Sequence, residues 1–360
     1  MTTQVIDRDH PILGFSHTWA TKIAERIRHL HVLALSVGTH QLPDNVTLWS
    51  LGRERGMPRW QRLLRYQRIV MPLLLGKQVD GIFVQQTEIN VILTAPYAIA
   101  RRIPIVLFKG HSKSLRPSLR LANWLITQAI TSTEAGYPIR TTKKLVIGQG
   151  IDTNFFQPSP APRLGNTYRI VSVGRLSPIK RYEAQIEAAR ILVNRGRRDL
   201  TFHVYGGWEY PGYEEYLGKL RAFVGRYGLG RIFHFEGHVP FTRIPEVYQS
   251  ADLVVHTCDN ESLDKAVLEA MACAVPVVTS IQSYRSVLGS HADLMVFRPG
   301  DATALADRIE ALLALSPEER RAIGLKLREI VIRNHSVDRF ADKLVTLFEN
   351  LLGWRTGGHQ

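Results

Sequence analysis

The sequence predicts an α/β protein of two domains, each built on a parallel sheet. Three observations carry this. From residue 168 onward short apolar runs alternate with helix-patterned segments, and such alternation closes into parallel sheets. The stretch Phe156-Gln-Pro-Ser-Pro-Ala-Pro-Arg-Leu-Gly-Asn166 holds three prolines and a glycine, the composition of a linker. The 360 residues are enough for a domain of ordinary size on either side of it.

In the second half the elements follow in order. Residues 168–173 form a strand, 182–195 a helix, 200–205 a strand and 213–227 a helix. Residues 231–235 then form a strand and 244–250 a short helix. Ala251-Asp-Leu-Val-Val-His-Thr257 reads as a buried strand. In the next segment Leu263, Ala266, Val267, Ala270 and Met271 follow the i, i+3, i+4, i+7, i+8 stripe of a helix. Val275-Pro-Val-Val-Thr-Ser280 is the strand after it. Residues 303–352 read as two or three helices, one opening at Pro317, where proline is tolerated in a first turn. The first half repeats the logic less cleanly. Strands are expected over 31–37, 81–84, 103–108 and 145–148, and helices over 18–30 and 89–99. Met1-Thr-Thr-Gln-Val-Ile supplies barely a strand where such a domain usually opens on one. The domains are therefore drawn as 1–156 and 157–335, with 336–360 a C-terminal helix expected to pack back on the first.

The composition is that of a soluble globular protein, 45% hydrophobic and 22% charged. No apolar run approaches the roughly 18 residues of a membrane-spanning helix. The opening residues lack the apolar stretch of a signal peptide. Cys258 and Cys273 are the only cysteines, as expected of reduced core thiols in a cytoplasmic protein. The net charge of +14 is lopsided: residues 1–150 hold 20 Lys+Arg against 8 Asp+Glu, the remainder 26 against 24. The first half is thus expected to face something anionic.

Two motifs carry chemistry. Glu261 and Glu269 stand eight apart in Glu-Ser-Leu-Asp-Lys-Ala-Val-Leu-Glu-Ala-Met-Ala. Glu261 falls on the loop leaving a strand, where parallel sheets bind ligands. Glu269 falls inside the following helix, whose start offers free N–H groups to an anion. The ordinary alternative is a surface pair of Lys265 with Glu269. Lys before Glu is the weaker orientation of such a pair, and it leaves Glu261 unexplained. The second motif is Val173-Gly-Arg-Leu-Ser-Pro-Ile-Lys180, again following a strand. Gly174 lets the backbone turn, so that Arg175 and Lys180 can converge on one anion, the first as a planar fork and the second as a compact charge.

Together these motifs resemble the family 4 retaining glycosyltransferases of the GT-B architecture, marked by Glu-x7-Glu, Ala-Met-Ala and Gly-Arg-Leu-x-x-x-Lys. Val146-Ile-Gly-Gln-Gly-Ile-Asp…Phe-Gln-Pro158 is similar to their domain-crossover segment. The resemblance implies two Rossmann-like domains whose parallel sheets face a central cleft. It implies transfer of a hexose-type sugar from a UDP- or GDP-sugar donor, without cofactor or metal, to a glycan or lipid-linked acceptor. Glu261 would bond the donor sugar, with Ser262 and Leu263 in the same donor-binding segment, and Glu269 the ribose. Arg175 and Lys180 would stabilise the departing diphosphate. His111, after the strand 103–108, would face the sugar, and Gly14 would admit the diphosphate to the backbone. There are departures: one glycine at the Gly14 loop where the family often has two, and Asp264 and Ala274 where it frequently has glycine. Asp264 sets a negative charge near the expected sugar site, though an acid also suits a first helical turn.

Two other readings stay open: a nucleotide-sugar epimerase of the same fold, and a basic GT-B protein on nucleic acid. No recognition helix or aromatic ladder supports the second. Over residues 58–74 the arginines Arg59, Arg62, Arg65 and Arg68 fall on one arc of a helix, and Trp60, Leu63, Leu64, Val70, Met71 and Leu74 on the other. Such a helix can lie on an anionic membrane, here the inner face of the cell membrane, or bind a phosphorylated acceptor. It can equally be an ordinary helix packed on its sheet.

Overall fold

The computed structural model describes residues 1–10, 12–110, 115–160, 165, 167–207, 212–259 and 262–353. It divides into two compact units, Met1–Asp152 with Asn334–Gln360, and Thr153–Arg333. Both are α/β with wholly parallel sheets, so the chain has the two Rossmann-like domains expected of it.

The first unit contains β1 (Thr2–Ile6), α1 (Phe15–Ala24), β2 (Leu30–Val37), β3 (Val46–Ser50), α2 (Arg59–Leu75), β4 (Ile82–Gln85), α3 (Glu88–Arg101), β5 (Ile105–Phe108), α4 (Pro117–Leu125), β6 (Gln128–Thr131) and β7 (Lys144–Val146). The strand order is β3-β2-β1-β4-β5-β6-β7, the doubly wound arrangement. β1 is short because it is central: it pairs with β2 and β4, and four of its five residues are buried. Trp19 of α1 is fully buried and anchors the core. Its ring packs on Phe108 at 4.9 Å and on Phe340 at 4.1 Å between centroids, and its indole N–H donates to the Gly150 carbonyl at 2.8 Å. Gly150 is left-handed, with φ of 66°, and a Cβ there would fall 2.6 Å from the Trp19 nitrogen. Only glycine fits both demands, which accounts for the Gly-Gln-Gly turn of the crossover segment.

α2 differs from its expected arc. It buries Tyr66, Val70, Leu73 and Leu74 against the sheet. Trp60, Leu63, Leu64, Met71 and Leu75 stay in solvent, Trp60 at 62% exposure. The apolar set is wider than the face the sheet can cover.

The second unit contains β8 (Tyr168–Val173), α5 (Tyr182–Asn194), β9 (Leu200–Tyr205), α6 (Tyr213–Arg226), β10 (Phe233–Gly237), α7 (Ile244–Gln249), β11 (Leu253–His256), α8 (Lys265–Ala272) and β12 (Val277–Thr279). Helices α9 (Tyr284–Leu288), α10 (Ala292–Met295), α11 (Ala302–Leu313) and α12 (Pro317–Asn334) follow. The sheet order β10-β9-β8-β11-β12 reverses direction between β8 and β11. Ligands of doubly wound sheets bind outside the carboxyl ends of the strands at this switch point. α13 (Val337–Leu352) belongs to the first unit, where Phe340 reaches Trp19 and Asp338 and Asp342 pair with Arg26.

The Asp264–Lys180–His256 corner of the second unit

The carboxyl ends of β8 and β11 bring three ionisable side chains together. Lys180 ends the turn after β8, His256 ends β11, and Asp264 is the N-cap of α8. The Lys180 ammonium donates to Asp264 Oδ2 and lies 3.0 Å from His256 Nε2. His256 Nε2 lies 3.2 Å from the same Asp264 oxygen. The other carboxylate oxygen, Oδ1, accepts the Ala266 backbone N–H at 3.2 Å. The acid of the first helical turn is therefore a cap in this structure, and its charge is matched by Lys180.

A buried polar chain holds Lys180 there. The Ser172 hydroxyl donates to Gln185 Oε1 at 2.7 Å, Gln185 Nε2 donates to Thr257 Oγ1 at 2.9 Å, and the Thr257 hydroxyl donates to the Lys180 carbonyl. All three side chains are buried, so each bond is worth more than it would be in water. Burial alone would raise the Asp264 carboxyl, but the Lys180 ammonium and His256 outweigh it and hold it well below the usual carboxylate range. Burial, and then Lys180, push His256 below its ordinary value, against the pull of Asp264. The imidazole is accordingly neutral at neutral pH.

Glu269 lies one turn further along α8 and is also buried, at 9% exposure. Tyr248 donates its hydroxyl to Glu269 Oε2 at 3.2 Å. Burial raises this carboxyl, while the Lys265 ammonium works the other way. Burial lowers Lys265 in turn. α8 is buried from Val267 to Ala272, so Glu269 is not the exposed partner of a surface pair.

The remaining expected site residues are distributed as follows. Ser262 and Leu263 are buried in the segment leading into α8. Arg175 is exposed on the turn after β8, whereas Lys180 is buried. Gly14 is the N-cap of α1 in the first unit, at φ −53°, a conformation open to any residue. His111 and Glu261 lie outside the described residues. Ala274 has φ of 57°, just past the end of α8. That left-handed position is where a helix end favours glycine, and alanine holds it at a cost. Cys258 and Cys273 are both buried thiols. Sequence reasoning missed His256, Thr257 and Gln185. The one signal available was a histidine closing an otherwise apolar strand.

Residues 156–329 match the family described as glycosyl transferases group 1. The putative colanic acid biosynthesis glycosyltransferase WcaL of Escherichia coli (strain K12) is 26% identical over 220 residues, 58% of this chain and 52% of that protein. The D-inositol 3-phosphate glycosyltransferase of Frankia alni is 30% identical over 181 residues, 47% of this chain and 44% of that protein. The chain spans about half the length of these curated relatives. Among solved structures, Anabaena HepE in complex with UDP superposes with a TM-score of 0.76 at 20% identity, over 97% of this chain and 100% of that one. Sucrose-phosphate synthase from Thermosynechococcus elongatus gives 0.75 at 16% identity, over 98% and 99%. The fold is thus the two-domain GT-B fold of these solved structures, and residues 156–329, which build the Asp264–Lys180–His256 corner, are similar to the glycosyl transferases group 1 family.

Proposed function

We propose that this protein is a retaining glycosyltransferase that moves a hexose-type sugar from a UDP- or GDP-sugar to a glycan or lipid-linked acceptor. The observation that carries this reading is the family match over residues 156–329, with the buried Lys180 at the switch point inside it. The structural neighbour Anabaena HepE has been solved with UDP and with UDP-glucose, which supports a nucleotide-sugar donor here. On this reading Lys180 and Arg175 take the diphosphate, Glu269 the ribose, and Glu261 the sugar hydroxyls beside Ser262 and Leu263. His111 is read as a residue for the donor sugar and Gly14 as one for the diphosphate. The acceptor hydroxyl attacks from the face the diphosphate leaves, and the leaving phosphate takes up its proton. Position and charge, supplied by fixed groups, do most of the catalysis.

Two cations in place of a metal imply that the donor binds without one. Calorimetric titration of UDP- and GDP-sugars should give the same affinity with and without chelator. Loss of all binding in chelator would sink the metal-free reading.

α2 supports contact with an anionic membrane. Its exposed Trp60, Leu64, Met71 and Leu75 run beside exposed Arg59, Arg68 and Lys77, with Arg62 and Arg65 half-buried. This is the composition of a helix that lies in an interface. Each cation near such a surface contributes about 1 kcal/mol, screened within a Debye length. The protein should sediment with anionic vesicles at low salt. A variant with all four arginines changed to glutamine should stay in solution with unchanged donor affinity. No sedimentation of the wild type would exclude this surface and favour a soluble acceptor.

A further inference from the structure

We propose that Asp264 is a resident counter-anion: its carboxylate fills the Lys180 corner until a phosphate group displaces it, and it thereby sets the affinity of the site for anions. The proposal rests on the reading of Lys180 as a diphosphate ligand. It is carried by the geometry of one carboxylate. Oδ1 takes a helix-start amide, that of Ala266 at 3.2 Å, and Oδ2 takes the Lys180 ammonium. A phosphate group arriving at a helix start beside a lysine would make the same two contacts.

The exposure of the members fixes the order of events. The Lys180 and His256 side chains are 8% and 4% exposed, and that of Asp264 is 25%. Asp264 is the member that meets solvent, so an anion reaches Lys180 on the side Asp264 occupies. The surrounding groups do not relieve the competition. Thr279 Oγ1 is 3.4 Å from His256 Nδ1, and the Tyr284 hydroxyl donates to the Asp264 backbone carbonyl, not to its carboxylate. With His256 neutral, the Lys180 and Asp264 charges offset one another, so an incoming diphosphate meets a Lys180 ammonium that is already paired. Glu269, further along α8, adds no positive charge.

Replacing Asp264 by a neutral N-cap residue keeps the helix start and removes the counter-charge. A buried ammonium is then left without an anion, and any ligand that supplies one gains affinity. Asn and Ser cap helices about as well as Asp, so a purely structural role for Asp264 predicts no such gain.

The test titrates inorganic pyrophosphate, UDP and GDP into the wild type, Asp264→Asn, Asp264→Ser and the double variant Asp264→Asn with Lys180→Met, near neutral pH and at low salt. Both single variants should bind pyrophosphate on the order of 10-fold tighter or more, the scale of removing one buried like charge. The gain should vanish in the double variant, since it acts through Lys180. Unchanged or weaker pyrophosphate binding by folded Asp264→Asn and Asp264→Ser would overturn the proposal, even with UDP or GDP bound well by the wild type. A pyrophosphate gain with neither UDP nor GDP binding better than pyrophosphate would uphold Asp264 as counter-anion and reject the nucleotide-donor reading.

Discussion

Lys180→Ala is expected to lower kcat about 100-fold, the usual cost of removing one group that stabilises developing charge. The expectation comes from where the ammonium sits. It is buried, pinned by the Ser172–Gln185–Thr257 chain through its own carbonyl, and paired with Asp264. A leaving diphosphate gains negative charge in the transition state, so a fixed cation there acts mainly on kcat. The same substitution strands the Asp264 carboxylate, and breaking a buried pair from one side costs on the order of 3–5 kcal/mol in stability. Removing both charges, as in Lys180→Ala with Asp264→Ala, should recover much of that stability without recovering kcat. That split separates the catalytic loss from the folding loss. Glu269→Ala should behave differently, weakening donor binding more than turnover, because a ribose contact is present before and during the reaction. Steady-state kinetics on folded variants decides it. Wild-type kcat in Lys180→Ala would remove Lys180 from the leaving-group site.

Gly206→Ala is expected to be among the most damaging single methyl additions in the second unit. Gly206 follows β9, donates its N–H to the Gly237 carbonyl at 2.8 Å, and lies against the end of β8. A Cβ there would fall 1.8 Å from the Gly174 carbonyl oxygen and 2.8 Å from its carbon. Both are backbone atoms, so no side chain can yield, and the strand ends must part. Gly174 opens the turn that carries Arg175 and leads to Lys180, so the displacement passes directly to the candidate site. A loss of roughly 3 kcal/mol or more in urea unfolding is expected, as for other changes that force a strained backbone. Donor affinity should fall with it. Gly218 on α6 is the matched control. A Cβ there meets nothing within 4 Å, and alanine should stabilise by roughly 0.5–1 kcal/mol. Equal stability of Gly206→Ala and Gly218→Ala would show that β8 and β9 are not packed as described.

The second half of the fold was legible because β11 and β12 are buried along their whole length and β9 alternates buried with half-buried residues. β8 and β9 coincide with the expected runs 168–173 and 200–205. β3 and β6 were not read. Val46-Thr-Leu-Trp-Ser50 is a half-buried edge strand with no clean alternation. Gln128-Ala-Ile-Thr131 is four residues long, too short for periodicity to register. β1 looked inadequate because a sequence does not reveal that its neighbours will cover both faces.

The candidate site was legible residue by residue and illegible as pairs. The run from Gly174 to Lys180 pointed to an anion, and Asp264 stood out as an acid in an unusual place. Their contact spans 84 residues, and that of Lys180 with His256 spans 76. Only the parallel pairing of β8 with β11 brings the two ends together. The partners that hold the Lys180 ammonium come from the end of β11 and the start of α8, far from it in sequence.

The central claim is that the second unit binds a nucleotide diphosphate sugar at the Lys180 corner. Calorimetric titration of a panel of UDP- and GDP-sugars in chelator, run in parallel on the wild type and Glu269→Ala, tests it most directly. Saturable binding of at least one UDP- or GDP-sugar to the wild type, clearly weakened in Glu269→Ala, is the predicted result. No binding of any panel member, or binding that Glu269→Ala leaves untouched, would contradict it.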